Sequence, residues 1–131
     1  MILVVEDEEV LRSMVSRALR QLGYMVLESS SGAEALAMWD DIAARVDIVL
    51  TDMVMPGGIS GLELTSRLRA RKKDLEVIVM SGYSVDLVHE GDMAVRAVHF
   101  LSKPFTIAAL SEAVRFALDH PKAVPIMNAP T

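Results

Sequence analysis

The sequence predicts an α/β fold, a parallel sheet with helices on both faces. Short aliphatic runs alternate with segments of helical periodicity five times along the chain, the pattern of strands joined by helical crossovers. Runs such as "ILVV", "IVL" and "VIVM" are continuously apolar, as strands covered on both faces are, and lack the alternation of a half-exposed sheet. The length of 131 residues fits one domain with a real core and is too short for two.

Ile2 to Val5 is the first predicted strand. From Glu8 to Leu22 the residues Val10, Leu11, Met14, Val15, Ala18, Leu19 and Leu22 recur at helical spacing, and Gly23 closes that helix. Met25 to Leu27 reads as the second strand. Ser31-Gly32 then opens an alanine-rich helix through Ala43 that turns Leu36, Trp39 and Ile42 inward, with Trp39 expected as a partly buried packing residue. Asp47 to Thr51 is the third strand. Gly61 to Ala70 is the next helix, apolar at Leu62, Leu64 and Leu68, with Arg67, Arg69 and Arg71 on a solvated face. Glu76 to Met80 is the fourth strand, Val85 to Val95 a short helix interrupted near Gly91, and Val98 to Leu101 the fifth strand. Thr106 caps a last helix through about Leu118, which is expected to bury Ile107, Leu110, Val114 and Leu118.

Thirteen Lys plus Arg against 18 Asp plus Glu leave a formal charge of −5, which argues against direct nucleic-acid binding. Cysteine is absent, so disulfides, thiolate catalysis and zinc–thiolate sites are excluded, and a reducing, cytoplasmic setting is expected. No apolar run approaches the ~18 residues of a membrane span, so membrane insertion by this domain is not expected. Met1 runs straight into "ILVV" without a basic leader; no signal peptide is expected, and excision from a longer protein is. The last 11 residues hold three prolines, so residues 119–131 read as a flexible tail or linker behind a domain spanning 1–118.

In parallel α/β sheets functional groups gather outside the carboxyl ends of the strands, and here those ends carry the chemistry. The first strand ends in Glu6-Asp7, the third in Asp52, the fourth in Ser81-Gly82 and the fifth in Ser102-Lys103-Pro104. Carboxylates crowded on one rim repel one another, and the candidates to offset them are a divalent cation and Lys103. Oxygen donors without His or Cys suit a hard ion such as Mg²⁺. Carboxylates, Mg²⁺, a hydroxyl and an ammonium are parts suited to phosphoryl transfer. Each piece alone has a plainer reading: a helix-start acidic pair, a strand terminator, a turn serine, a solvated lysine. Their order at successive strand ends favours a single site.

The segments "VVEDE", "LTDMVMPGGISG", "MSGYS" and "FLSKPF" together resemble the receiver domain of two-component response regulators, over residues 2 to about 118. The resemblance implies a flavodoxin-like (βα)5 doubly wound sheet of order 2-1-3-4-5. It implies Asp52 as phosphoacceptor, Asp7 as a direct Mg²⁺ ligand, Glu6 in support of the metal, and the Val54 carbonyl as a further ligand. Ser81 matches the hydroxyl that bonds the phosphoryl group, Lys103 the lysine that pairs with it, and Lys103-Pro104 the family's cis peptide. Tyr83, like Val54, flanks the path of the hydrolytic water. Phe100 stands at the switch-aromatic position, where the family often has tyrosine, so a switch here would run on packing alone.

The implied partners are a sensor histidine kinase or a histidine phosphotransfer protein. A weak dimer through the 85–95 helix, the fifth strand and the last helix is a further expectation. "MPGGISGLEL" with "FLSKPF" is similar to receivers at the C-terminus of hybrid sensor histidine kinases; a stand-alone single-domain regulator is the alternative. Two departures stand out: four residues, "GGIS", separate Pro56 from Gly61 where three are common, and Ala97-Val98 stand where glycine is common. An aspartyl-phosphate hydrolase of the haloacid dehalogenase type would carry a second aspartate two residues after its nucleophile, where this chain has Val54. A flavodoxin-like cofactor binder is disfavoured by the acidic loop after the first strand, which repels phosphate. The three histidines, His89, His99 and His120, form no ligand pair and read as ordinary surface or edge residues, and the nine methionines as adaptable packing.

Overall fold

The computed structural model describes residues 1–55, 58–82 and 98–121. Strands β1 (Ile2–Val5), β2 (Val26–Ser29), β3 (Ile48–Asp52), β4 (Glu76–Ser81) and β5 (His99–Ser102) form one sheet of order β2-β1-β3-β4-β5. All four pairings are parallel. Helices α1 (Glu9–Gln21), α2 (Gly32–Ile42), α3 (Gly61–Arg69) and a C-terminal helix (Ile107–Asp119) cover it. The helix expected over 85–95, and Tyr83 with it, lies outside the described residues. No described helix is long and apolar enough to cross a membrane.

Successive strand residues point to opposite faces, and this alternation divides the core. Leu3, Val5, Val49, Val77 and Val79 pack with Ala35, Trp39, Leu64 and Leu68 of α2 and α3. Ile2, Val4, Ile48, Leu50, Ile78 and Met80 pack with Val15 and Leu19 of α1 and with Leu110 and Val114 of the C-terminal helix. A fully buried Leu or Val side chain contributes about 1.5–3 kcal/mol, so both layers are firmly held. Trp39 is fully buried, not partly buried as expected, and its Nε1 finds no hydrogen-bond partner.

Three helix starts are capped by the residues the sequence offers. The hydroxyls of Ser31, Ser60 and Thr106 accept from the backbone N–H groups of Glu34, Glu63 and Ala109 at 3.0, 3.1 and 3.0 Å. Gly23 ends α1 at φ +100°, a conformation that favours glycine.

The strands run further toward their carboxyl ends than hydropathy indicates. Asp52 and Ser81 are ladder residues, paired with Met80 and Ser102. The ladder continues beyond them, through Met53 N–H to Met80 O at 2.9 Å and Lys103 N–H to Ser81 O at 2.8 Å. Hydropathy sees a strand end where the side chains turn polar; the backbone keeps pairing. Asp52 and Ser81 therefore sit on hydrogen-bonded strands.

Other expectations need correction. In the C-terminal helix Leu110, Val114 and Ala117 are buried, whereas Ile107 is 56 % and Leu118 37 % exposed. Ala117, in the same turn as Leu118, is fully buried, so the buried stripe runs through 110, 114 and 117 and leaves Leu118 to one side, while Ile107 stands in the first turn. Val10 and Met14 of α1 are open to solvent while Ser16 is buried. Arg67 and Arg71 are exposed, but Arg69 is half-buried with Nε donating to the Leu75 carbonyl at 2.9 Å. Burial lowers the pKa of its guanidinium, against the pull of Glu76. His99 lies on the edge strand yet is buried, its Nε2 3.2 Å from Glu76 Oε1.

Candidate functional site: an acidic rim closed by a lysine

Glu6 follows β1 directly and its backbone extends the pairing, with its N–H donating to Ser29 O at 3.1 Å. Its side chain is buried, and Oε2 accepts from the Glu8 N–H at 3.0 Å. Oε1 has no hydrogen bond and lies 3.6 Å from Lys103 Nζ. Burial, partly offset by the Glu8 N–H and reinforced by the Asp52 charge, pushes the Glu6 carboxyl up to about 6.

Asp52, at the end of β3, is 8 % exposed, and its Oδ1 is 2.8 Å from Lys103 Nζ. Lys103 reaches the rim from the turn after β5, beside a cis Lys103–Pro104 bond. Burial alone would lower the Lys103 pKa, but Asp52 and then Glu6 outweigh it and raise it. Asp7 is exposed beside them, and carboxylate oxygens of Glu6, Asp7 and Asp52 lie within 4.8 Å of one another.

The structure thus unites Glu6, Asp7, Asp52 and Lys103. Ser81 ends β4, the strand next to β3, and is 5 % exposed. Val54 stands on the loop two residues past Asp52, its side chain 63 % exposed. Phe100 is half-buried and packs on the α2–α3 side of the sheet. Sequence reasoning missed two supports. Gly61 N–H donates to Met53 O at 2.8 Å, and a Cβ on Gly61 would stand 2.3 Å from the Asp52 carbonyl oxygen; the glycine-rich "GGISG" was its signal. Arg12 Nη1 donates to the Glu6 carbonyl at 2.7 Å, and its position on α1 gave no hint of that.

The donor set suits a hard divalent cation. It consists of carboxylate oxygens alone, one of them the buried Glu6 Oε1 without a hydrogen bond, and the only cation within ion-pair distance of Glu6 and Asp52 among the described residues is Lys103.

A parallel sheet of this order, with an acidic rim and a lysine at its carboxyl edge, defines a receiver module of two-component signalling. The profile of the response regulator receiver domain matches residues 2–115, and the chain belongs to that family. It is 38 % identical over 118 residues to the sensor kinase CckA of Brucella abortus (strain 2308), covering 90 % of this chain and 12 % of that protein. It is 32 % identical over 117 residues to sporulation initiation phosphotransferase F of Bacillus subtilis (strain 168), covering 87 % of this chain and 90 % of that one. The solved receiver domain of the hybrid histidine kinase CckA superposes with a TM-score of 0.74 at 38 % identity, over 89 % of this chain and 97 % of that one. The response regulator TrrA of Thermotoga maritima, solved in complex with Mg²⁺-BeF, gives a TM-score of 0.73 at 34 % identity, over 87 % of this chain and 95 % of that one. The chain therefore spans a small part of some relatives and nearly all of others. Receiver domains typically bind Mg²⁺ at an acidic pocket, are phosphorylated, and interact with histidine kinases or phosphotransfer proteins.

Proposed function

We propose that Asp52 accepts a phosphoryl group from a phosphohistidine on a sensor histidine kinase or histidine phosphotransfer protein. The observation that carries this is Lys103 Nζ held 2.8 Å from Asp52 Oδ1, beside the clustered carboxylates of Glu6 and Asp7. An Asp52 oxygen attacks phosphorus in line, the P–N bond breaks, and the electron pair returns to the imidazole. The product is an acyl phosphate, and Lys103 is placed to compensate charge on the transferred oxygens. Held by Glu6, Asp7, Asp52 and the Val54 carbonyl, Mg²⁺ would supply further neutralisation of those oxygens.

Ser81 is the hydroxyl suited to bond the transferred group, and Phe100 the aromatic whose packing would change with it. Tyr83 and Val54 would flank the water that later removes the group. The responding surface would comprise β4, the 85–95 segment, β5 and the last helix, and a weak dimer would form through the last three of these. The parent protein is a hybrid sensor histidine kinase of which this receiver is a cytoplasmic piece, with 119–131 as linker or tail; the identity with CckA supports this. A stand-alone regulator is favoured by one observation, the 90 % coverage of phosphotransferase F. An immunoblot of the native protein near 14.3 kDa would decide for the stand-alone form.

The chemistry is tested by intact mass after incubation with Mg²⁺ and a small phosphodonor. A single phosphoryl adduct is expected on the wild type, absent without Mg²⁺ and absent in Asp52→Asn. An adduct that persists in Asp52→Asn would remove Asp52 as acceptor.

A further inference from the structure

Glu6 is held by hydrogen bonds at its N–H, its carbonyl and its carboxylate. Its N–H donates to Ser29 O, its carboxylate accepts from Glu8 N–H, and its carbonyl accepts from Arg12 Nη1 at 2.7 Å. Arg12 belongs to α1 but reaches back across the β1–α1 turn, its side chain 17 % exposed. The other side of the guanidinium faces β2, where Arg12 Nε is 3.6 Å from Glu28 Oε1. Glu28 is tethered in turn, its Oε2 3.2 Å from Arg20 Nη1. Arg20 also donates to the Val26 carbonyl at 3.2 Å.

A carbonyl and the following N–H share one rigid plane. Fixing the Glu6 oxygen therefore fixes the whole Glu6–Asp7 peptide and with it the base from which the exposed Asp7 side chain projects. Arg suits this task better than Lys, because its fork can serve the carbonyl and Glu28 at once. From this geometry we infer that Arg12 is a positioning residue, which aims the Asp7 carboxylate toward Glu6 and Asp52 while touching no carboxylate of the site. The inference rests on reading these carboxylates as a Mg²⁺ site and adds its outer support.

Outer partners of metal ligands typically change affinity about 10–100-fold when removed. Calorimetric titration with Mg²⁺ should show Arg12→Ala binding about 10-fold more weakly than wild type, with Arg12→Lys in between. Adduct formation on Arg12→Ala should return toward the wild-type level when Mg²⁺ is raised to saturation. Arg20→Gln loosens the same α1–β2 contact without touching Glu6, so it should lower the melting temperature and leave Mg²⁺ affinity unchanged. Unchanged affinity in Arg12→Ala, or affinity that tracks melting temperature equally in both variants, would overturn the inference. A wild type that binds no Mg²⁺ sinks the reading of the site instead. Metal-free protein then decides on Arg12: the NMR order parameters of Asp7 and Glu8 should fall in Arg12→Ala, and rigid values in the variant overturn its role.

Discussion

At the scale of single residues, the rim balances three carboxylates against one lysine, and the balance is uneven. Burial, with the Asp52 charge added, raises the Glu6 pKa from 4.5 to about 6, and Lys103, 2.8 Å from Asp52 but 3.6 Å from Glu6, offsets this only in part. A carboxyl raised by folding favours the fold in its neutral form. Its contribution is complete below pH 4.5 and is lost as pH rises through about 6. In metal-free protein, calorimetry across that window should show a smaller fall in melting temperature for Glu6→Gln than for wild type; identical slopes would assign the effect to other groups. Lys103→Gln removes the cation nearest Asp52, and phosphoryl adduct formation should slow by about 10²-fold, the scale of one lost charge-stabilising donor. A time course of intact mass at saturating Mg²⁺ measures this, and a rate near wild type would show that Lys103 only balances charge in the resting protein.

Among the elements, α3 matters most to the site because its first residue lies under the Asp52 backbone. A methyl group on Gly61 would meet the Asp52 carbonyl oxygen at 2.3 Å, and rotation of a side chain cannot relieve a contact with backbone. Gly61→Ala should therefore destabilise the fold by about 1–3 kcal/mol, the usual cost of overpacking, and should disturb adduct formation along with melting. Thr106→Ala tests a different element. It removes one cap bond, to Ala109 N–H at 3.0 Å, and should cost about 1 kcal/mol in denaturant unfolding with adduct formation intact. The same elements show where sequence reading succeeds. The helix starts at Ser31 and Thr106 were legible because a hydroxyl precedes each apolar periodic run, whereas Ser60, the cap of α3, was hidden in the glycine-rich "GGIS". Burial of Ile107 and Leu118 was misread because an apolar stripe can be placed one residue to either side: the small Ala117 is buried in the last turn and the larger Leu118 beside it is not, and Ile107 stands at the helix start. Strand ends at Asp52 and Ser81 were placed early for a related reason: hydropathy follows side chains, and the ladder follows the backbone.

For the whole molecule, a cation bound only by the folded site stabilises the fold by mass action. Melting temperature should rise with Mg²⁺ in wild type and stay flat in Asp7→Asn; an equal rise in both would place the ion elsewhere. The parallel α/β class follows from the alternation of strand and helix, whereas the order β2-β1-β3-β4-β5 came from motif resemblance, since periodicity carries no information about which strands adjoin. Site residues at strand ends were legible for the same topological reason, and Arg12 was not, because a helix residue's reach back to a carbonyl leaves no trace in spacing. The division of the core into two layers has an optical consequence. The single indole of the chain, Trp39, is fully buried on the α2–α3 side, and Tyr24 packs on the α1 side. Tryptophan emission is thus a reporter of one half of the interior, and in a Tyr83→Phe variant, where Tyr24 is the one remaining tyrosine, tyrosine difference absorbance reports the other, so the two signals together reveal whether the halves melt at one temperature or in sequence.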